Sequence, residues 1–471
     1  MKSRELQNLG LPRGPAIRLM LEAVRRAGLS RQQVRAIVPE LVRNPDRFRD
    51  DPDVGAVAAV LMTARSQTRS DEPAPLRIWG RVGDDFDEQS LRQIENARRL
   101  PVSIAAALMP DAHVGYGLPI GGVLATRHAV IPYAVGVDIA CRVKLSVLDL
   151  PVSMLESEAG RERLTRAIEE ETVFGVGGTF RRRRQHAVLD EDWSVSPLTR
   201  QLKDKAWSQL GTSGSGNHFV EFGTLSIEPE HAGGELGLEP GVYLALLSHS
   251  GSRGTGAAVC RHYSKIAMEQ HPDLPGELRH LAWLDLDSQA GQEYWQAMNL
   301  MGRYASANHA CIHDHIQRHL GAHTLAEVEN HHNFAWLETH DFGEGPITCI
   351  VHRKGATPAG AGAVGVIPGS MIDPSFVVRG KGGAGSIDSA SHGAGRVMSR
   401  TAARQSLRWS DVRDVLRQHG VTLISAGIDE APGVYKNILR VMTLQNDLVE
   451  PIARFEPRLV KMAPEGERPE D

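Results

Sequence analysis

The sequence predicts an α+β fold, a single large mixed-sheet body preceded by a helical N-terminal extension. Three observations lead there. The first hundred or so residues carry apolar side chains at helical spacing, and from about residue 77 short apolar runs alternate with Gly and Pro. No regular strand–helix–strand rhythm joins those runs. The chain has 471 residues, 41% hydrophobic and 23% charged, which is ordinary for a globular protein and enough for a large core.

The elements follow in order. Ile17, Met20, Leu21 and Val24 share one helical face, and Gly28 closes that helix. Ser30 with Gln33 is a capping-box pattern opening a second helix, which is expected to end near Pro39. "DVGAVAAVLMTARS" gives a third, with "DDPDVG" and "SQTRSDEPAP" as linkers. Residues 1–76 therefore read as the extension and 77–462 as the mixed-sheet body. Within the body "GGVLAT", "RVKLSVL", "HFVEFG", "VYLALLSHS", "ITCIVH" and "VTLIS" are strand-like, and "GQEYWQAMNLMGRYASANHACIHDHIQRHL" is helical. "RRRRQHAVLDEDWS", from Arg181, reads as a surface insertion, and residues 463–471 as a disordered acidic tail.

A formal net charge of −4 argues against a wholly basic nucleic-acid coat protein but leaves room for a local basic groove. No run of 18 uncharged apolar residues occurs, and "MKSRELQNLG" has no signal-peptide core, so no membrane is expected as partner. Cys141, Cys260, Cys311 and Cys349 are scattered and form no CxxC pair. That points to a reducing compartment, and the expected location is cytoplasmic.

Chemistry concentrates in glycine-rich contexts. "VGVDIAC" places Asp138 three residues before Cys141. Of the 20 histidines, His218 follows "GTSGSGN", His249 ends a strand-like run, His331 and His332 adjoin in "ENHHNFAW", and His392 sits in "SASHGAGR". A lone histidine is more often a hydrogen-bonded structural group. Histidines in four such settings, beside a carboxylate and a thiol, favour ligands or nucleophiles. The mixed set suits Mn²⁺, Zn²⁺ or Co²⁺ better than Ca²⁺ or Mg²⁺, and one thiolate could bridge two ions. A closed single zinc site fits less well, because the ligands are spread over about two hundred residues, far wider than zinc-finger spacing. "HRKGATPAGAGAVGVIPGSM" holds Arg353, Lys354 and Ser370 and reads equally as a phosphate cradle or a flexible loop. The GxGxxG matches at Gly360–Gly365 and Gly380–Gly385 open no amphipathic helix, so a dinucleotide fold is a poor reading. His309 and His313 have i, i+4 spacing without an adjacent Glu and are expected on a helix surface. Arg181 to Arg184 read as a solvated face, and Ser252 is in no nucleophile elbow.

"MPDAHVGYGLPIGGVLAT", "VGVDIAC", "GSGNHFVEFG", "SHSGSRGTG", "HHN", "HRKGATPA", "IPGSM", "SHGAGRVMSR" and "DEAPGVYKNI" occur in this order. Together they resemble the RtcB family of RNA-splicing ligases, over residues 78 to 462. The resemblance implies an enzyme that uses GTP and two Mn²⁺ ions. It would join an RNA 3′-phosphate or 2′,3′-cyclic phosphate end to a 5′-hydroxyl end, in tRNA splicing or RNA repair. It implies guanylation of His392, metal ligation by Asp138, Cys141, His218, His249 and His332, and a bridging role for Cys141. Guanylate binding falls to Asn217, Glu221, Ser370, Ser375, Tyr435 and Lys461, and phosphate or RNA binding to Arg253 and Arg396. An activating protein is a further partner the resemblance allows. Departures are Ser391 before the nucleophile, where a cysteine is common, "DIACRV" for the frequent "DIGCGM", and residues that continue past the family's terminal Lys-Gly. Two other classes remain open: a dinuclear-metal phosphohydrolase, and an RNA-end-binding protein without catalysis.

Overall fold

A computed structural model describes residues 2–11, 15–66 and 72–469. The chain divides into two compact units, Met1–Pro73 and Ala74–Asp471. The first is a small helical unit. Helices Ser3–Asn8, Pro15–Ala27, Arg31–Arg43 and Gly55–Ser66 bury Leu6, Met20, Val34, Val38, Leu41 and Val57 together. Gly28 follows the second helix at φ +63°. Ser30 and Gln33 make both capping-box bonds, at 3.3 and 2.9 Å. The helix they open does not stop near Pro39 but runs through it to Arg43. Val38 and Leu41 on either side are completely buried, and that packing outweighs the one backbone bond that proline removes. The expected linker "SQTRSDEPAP" falls largely on residues 67–71, outside the described residues.

The second unit is built on two sheets. One has five strands in the order Leu76–Ile78, Ser103–His113, Ile120–Thr126, Pro346–Lys354 and Asn333–Asp341. Only its first pair is parallel. The other has eight strands. Its path runs Val364–Ile367, Ser375–Gly380, Val449–Met462, Phe219–Ile227, Gly241–Ser250, Arg142–Leu148 and Thr324–His331, with Thr422–Ser425 paired to Val449–Met462. Its two ends meet. The Asn330 side chain accepts from the Val366 N–H at 2.7 Å and donates to the Val366 carbonyl at 3.2 Å. The strand-like runs seen in the sequence all lie in these sheets, and the long helical run is Gln289–Leu320, stopped by Gly321 at φ +62°. Among the described residues no helix is long and apolar enough to cross a membrane.

Two neighbouring strands of the eight-stranded sheet approach closely at Gly223, which faces Pro457 beside an irregularity in the partner strand. A Cβ there would collide with the Glu456 carbonyl and the Phe455 ring. Gly223→Ala is therefore expected to destabilise the protein by about 1–3 kcal/mol, the usual cost of overpacking, read as a lowered denaturation midpoint.

Three expectations are corrected here. The segment from Arg181 is no surface insertion. The Arg184 guanidinium is buried and donates to the carbonyls of Glu171, Gly211 and Cys311 at 2.6, 3.3 and 3.1 Å, while Val188, Leu189 and Trp193 enter the core. Of the four arginines, Arg181, Arg182 and Arg183 remain exposed. His309 and His313 face inward and are completely buried. The last described residues are held rather than loose: Glu465 accepts from Trp409 Nε1 at 3.1 Å and from the Ile428 N–H at 2.9 Å. Its carboxylate finds two unpaired donors, which a purely polar composition does not reveal.

Candidate active site

Asp138 and Cys141 reach one point because the chain between them turns left-handed. Ala140 sits at φ +56°, its N–H donating to the Asn333 carbonyl at 2.6 Å. Asn333 Nδ2 donates in return to the Asp138 carbonyl at 3.2 Å. An alanine in that region costs about 1–2 kcal/mol, so Asn333 is what holds the turn. Gly251 permits the close approach, since a Cβ there would fall on the Asp138 carboxylate.

The histidines arrive already oriented. His218 Nδ1–H donates to the Ser213 carbonyl at 2.9 Å and His249 Nδ1–H to the Asn217 carbonyl at 3.1 Å. In neutral rings this leaves each Nε2 with its lone pair. These atoms lie 3.4 and 3.2 Å from Cys141 Sγ. His218 Nε2 is also 3.2 Å from Asp138 Oδ2, and His249 Nε2 is 3.2 Å from His332 Nε2. Two three-residue sets result, Asp138–Cys141–His218 and Cys141–His249–His332, and the sulfur belongs to both.

Lone pairs gathered this tightly repel one another unless a cation lies among them. Asp138 Oδ2 and His332 Nδ1 are buried without a hydrogen-bond partner. Burial, reinforced by the neighbouring imidazoles, holds His249 and His332 well below the usual histidine range, so both are neutral and able to ligate. Burial would raise Asp138, but the close His218 ring and the Arg253 charge bring it down to about 2. The donor set fits a divalent metal of borderline softness.

His392 stands beside this cluster, its ring 4.8 Å from that of His332. Its Nδ1–H donates to Asp111 Oδ2 at 2.7 Å, and its backbone N–H donates to the same oxygen at 3.2 Å. Nε2 therefore keeps the lone pair. Asp111 is completely buried. Burial alone would raise its carboxyl, yet the His392 hydrogen bond and the Lys436 charge hold it below the usual carboxylate range. Asp111 was given no role in the sequence reading, although "MPDAH" contains it. It lies 281 residues from His392, and only the fold pairs them.

These groups line one cavity of about 590 Å³, together with Asn217, Glu221, Ser370, Arg396 and Tyr435. Glu221 is pushed up to about 8 by burial. Lys354, read from the sequence as part of a phosphate cradle or a flexible loop, reaches the same cavity, and burial lowers it to about 7. Arg396 follows His392 in irregular chain. Its guanidinium already donates to Glu430 Oε2, the Asp429 carbonyl and the Met398 carbonyl, at 3.2, 2.8 and 3.2 Å. The Tyr435 hydroxyl donates to the same Glu430.

Three expected residues are not on the cavity wall. Ser375 Oγ accepts from the Gly369 N–H at 3.3 Å and so braces the turn that carries Ser370. The buried Arg253 donates from Nε to Thr212 Oγ1 at 3.1 Å, its guanidinium packed where a Cβ on Gly214 would stand. Lys461 pairs with Val220, while its neighbour Val460 pairs with the cavity residue Glu221. Alternation along the strand turns Lys461 to the other face, 5.7 Å from the Phe174 ring.

A histidine fixed by a buried carboxylate beside candidate metal ligands is the equipment of a group-transfer enzyme, not of a purely structural metal site. Residues 93–462 match the family described as tRNA-splicing ligase RtcB, and the chain belongs to that family. It is 33% identical over 415 residues to the RNA-splicing ligase RtcB1 of Escherichia coli strain ATCC 25922, a match spanning 81% of this chain and 95% of that protein. The RNA-splicing ligase RtcB of Escherichia coli K12 is 32% identical over the same shares. The tRNA-splicing ligase RtcB of Archaeoglobus fulgidus is 30% identical across 81% of this chain and 91% of its own length.

Proposed function

We propose that this chain is a cytoplasmic GTP- and Mn²⁺-dependent RNA ligase that seals 3′-phosphate to 5′-hydroxyl ends, with a 2′,3′-cyclic phosphate first opened by water to the 3′-phosphate. One observation carries the reading. His392 keeps its Nε2 lone pair because Nδ1 is committed to Asp111, and it shares a cavity with the candidate metal ligands.

In this reading His392 Nε2 forms a bond to the α-phosphorus of GTP, and the bond to the bridging oxygen breaks to release pyrophosphate. An RNA 3′-phosphate oxygen then takes the guanylate as the P–N bond breaks. The RNA 5′-hydroxyl finally attacks the 3′-phosphorus, loses its proton and expels GMP. Two ions held by Asp138, Cys141, His218, His249 and His332 would neutralise phosphate charge and favour in-line displacement. Asp111 keeps His392 in one tautomer and stabilises positive charge as the ring is guanylated. Incubation with α-labelled GTP and Mn²⁺, then a denaturing gel, tests this. A labelled protein band supports the ligase, whereas released GMP or phosphate without a band favours a phosphohydrolase on the same centre. Binding of RNA ends with neither reaction would mean a non-catalytic end-binding protein.

Asp111→Asn keeps the size of the side chain but removes the charge. Guanylation should slow by about 10²–10⁴-fold with metal content little changed, as single-turnover labelling would read. An unaltered rate would exclude Asp111 from the reaction.

Glu221 is placed to accept from the N1–H and exocyclic amine of guanine, which adenine does not offer in that pattern. Glu221→Ala should lose about 1–3 kcal/mol of preference for GTP over ATP, measured by competition. Only the ionised carboxylate accepts both bonds. Because burial raises this group to about 8, GTP preference should strengthen as pH rises through that value, and Glu221→Gln should remove the dependence.

A further inference from the structure

The long helix Gln289–Leu320 turns His309 and His313 towards the eight-stranded sheet. Both are completely buried, as are Ser146, Ser248 and Ser250 on the strands facing them. The five form an unbroken chain. Ser146 Oγ is 2.8 Å from His313 Nδ1, His313 Nε2 is 2.8 Å from Ser248 Oγ, and Ser248 Oγ is 2.8 Å from His309 Nδ1. His309 Nε2 ends the chain 3.1 Å from the Ser250 carbonyl.

That carbonyl fixes every hydrogen in the series. It can only accept, so His309 carries its proton on Nε2. Burial lowers His309 to about 3 and His313 well below the usual range, so each ring is neutral with one N–H. His309 Nδ1 is then a bare acceptor, and the Ser248 hydroxyl must donate to it. With that hydrogen spent, His313 Nε2–H must donate to Ser248 Oγ, and the Ser146 hydroxyl to His313 Nδ1. All four bonds point the same way, towards Ser250.

Ser250 follows His249 directly, and Cys141 Sγ lies 3.6 Å from the same carbonyl. A sulfur that ligates a metal has no hydrogen to give. The Ser250 oxygen, opposite Arg142 in the strand pairing, would then face a thiolate, and the His309 N–H is the side-chain donor that offsets its negative end. Buried carbonyls left without a donor are costly, and more so beside an anion.

We infer that His309, aligned by Ser248, His313 and Ser146, is a positioning residue for the metal centre, holding the Ser250 carbonyl so that Cys141 and His249 can ligate together. This rests on the metal reading given above. None of these residues lines the cavity, so any effect on metal passes through Ser250.

The test uses the full chain with Mn²⁺ or Co²⁺ alone, without GTP or RNA. Failure of the ligase reading would leave its outcome untouched. His309→Leu fills the space without a donor and should weaken Mn²⁺ binding at least tenfold, within the range seen when a partner of a metal ligand is lost. His309→Gln, whose amide N–H can reach Ser250, should recover most of that loss. The thiolate-to-cobalt absorption band should weaken in the Leu variant and return with Gln. Unchanged affinity in a folded Leu variant would overturn the inference. If that variant does not fold, ¹⁵N NMR of the histidine-labelled unmutated protein decides. Both rings should be Nε2–H tautomers, and an Nδ1–H tautomer at either would break the chain of donors.

Discussion

His392→Ala is expected to form no covalent guanylate and to join no RNA, a loss on the order of 10⁴-fold or more, while folding and metal content stay near normal. The separation follows from position. His392 contributes no atom to either candidate ligand set, and its ring lies against His332 rather than within the sulfur-centred cluster. Removing it leaves the oxygen, nitrogen and sulfur donors in place but takes away the lone pair that the Asp111 carboxylate orients. The variant should still seal an RNA whose 3′-phosphate already carries GMP, because the final displacement needs no protein nucleophile. Labelled GTP, elemental analysis and a pre-activated RNA read the three outcomes separately. A guanylated alanine variant would place the nucleophile elsewhere.

Cys141→Ala should strip the centre of metal altogether. Two ligand sets share this one sulfur, and its removal leaves each with two donors instead of three. The remaining groups would also bring two cations close together with no anionic sulfur between them. His218→Ala, by contrast, touches only the set that contains Asp138, and should spare the other ion. Elemental analysis of the two variants distinguishes a shared ligand from a local one, and full occupancy in Cys141→Ala would rule out the bridge.

Much of this was legible in the sequence, for reasons that differ by residue. Strand alternation and helical periodicity located the sheets and the long helix, since both patterns are local. The glycine-flanked histidines and "VGVDIAC" marked the candidate ligands, because groups brought together from distant strands need permissive backbone around them. What escaped was relational. Asp111 and His392 meet across 281 residues, and nothing near either names the other. Lys461 lies off the cavity wall, because resemblance transfers a residue type without the strand phase that aims it. Arg253 was expected on phosphate but sits packed against Gly214. His309 and His313 went inward because the polar groups that satisfy them, Ser146 and Ser248, lie on other strands. Spacing along the helix could not show that.

The clasp formed by Asn330 has a bearing on how this protein behaves in company. A sheet whose end strands do not pair along their length presents unfilled donors and acceptors, the template on which strands of other molecules assemble. At the seam between Thr324–His331 and Val364–Ile367, one side chain occupies both the N–H and the carbonyl of Val366. The same amide also donates to Thr357 Oγ1 at 2.9 Å, which anchors it. A foreign strand arriving there finds the central rung already taken. Asn330 thus guards the protein against edge-to-edge aggregation, a task distinct from anything the cavity does.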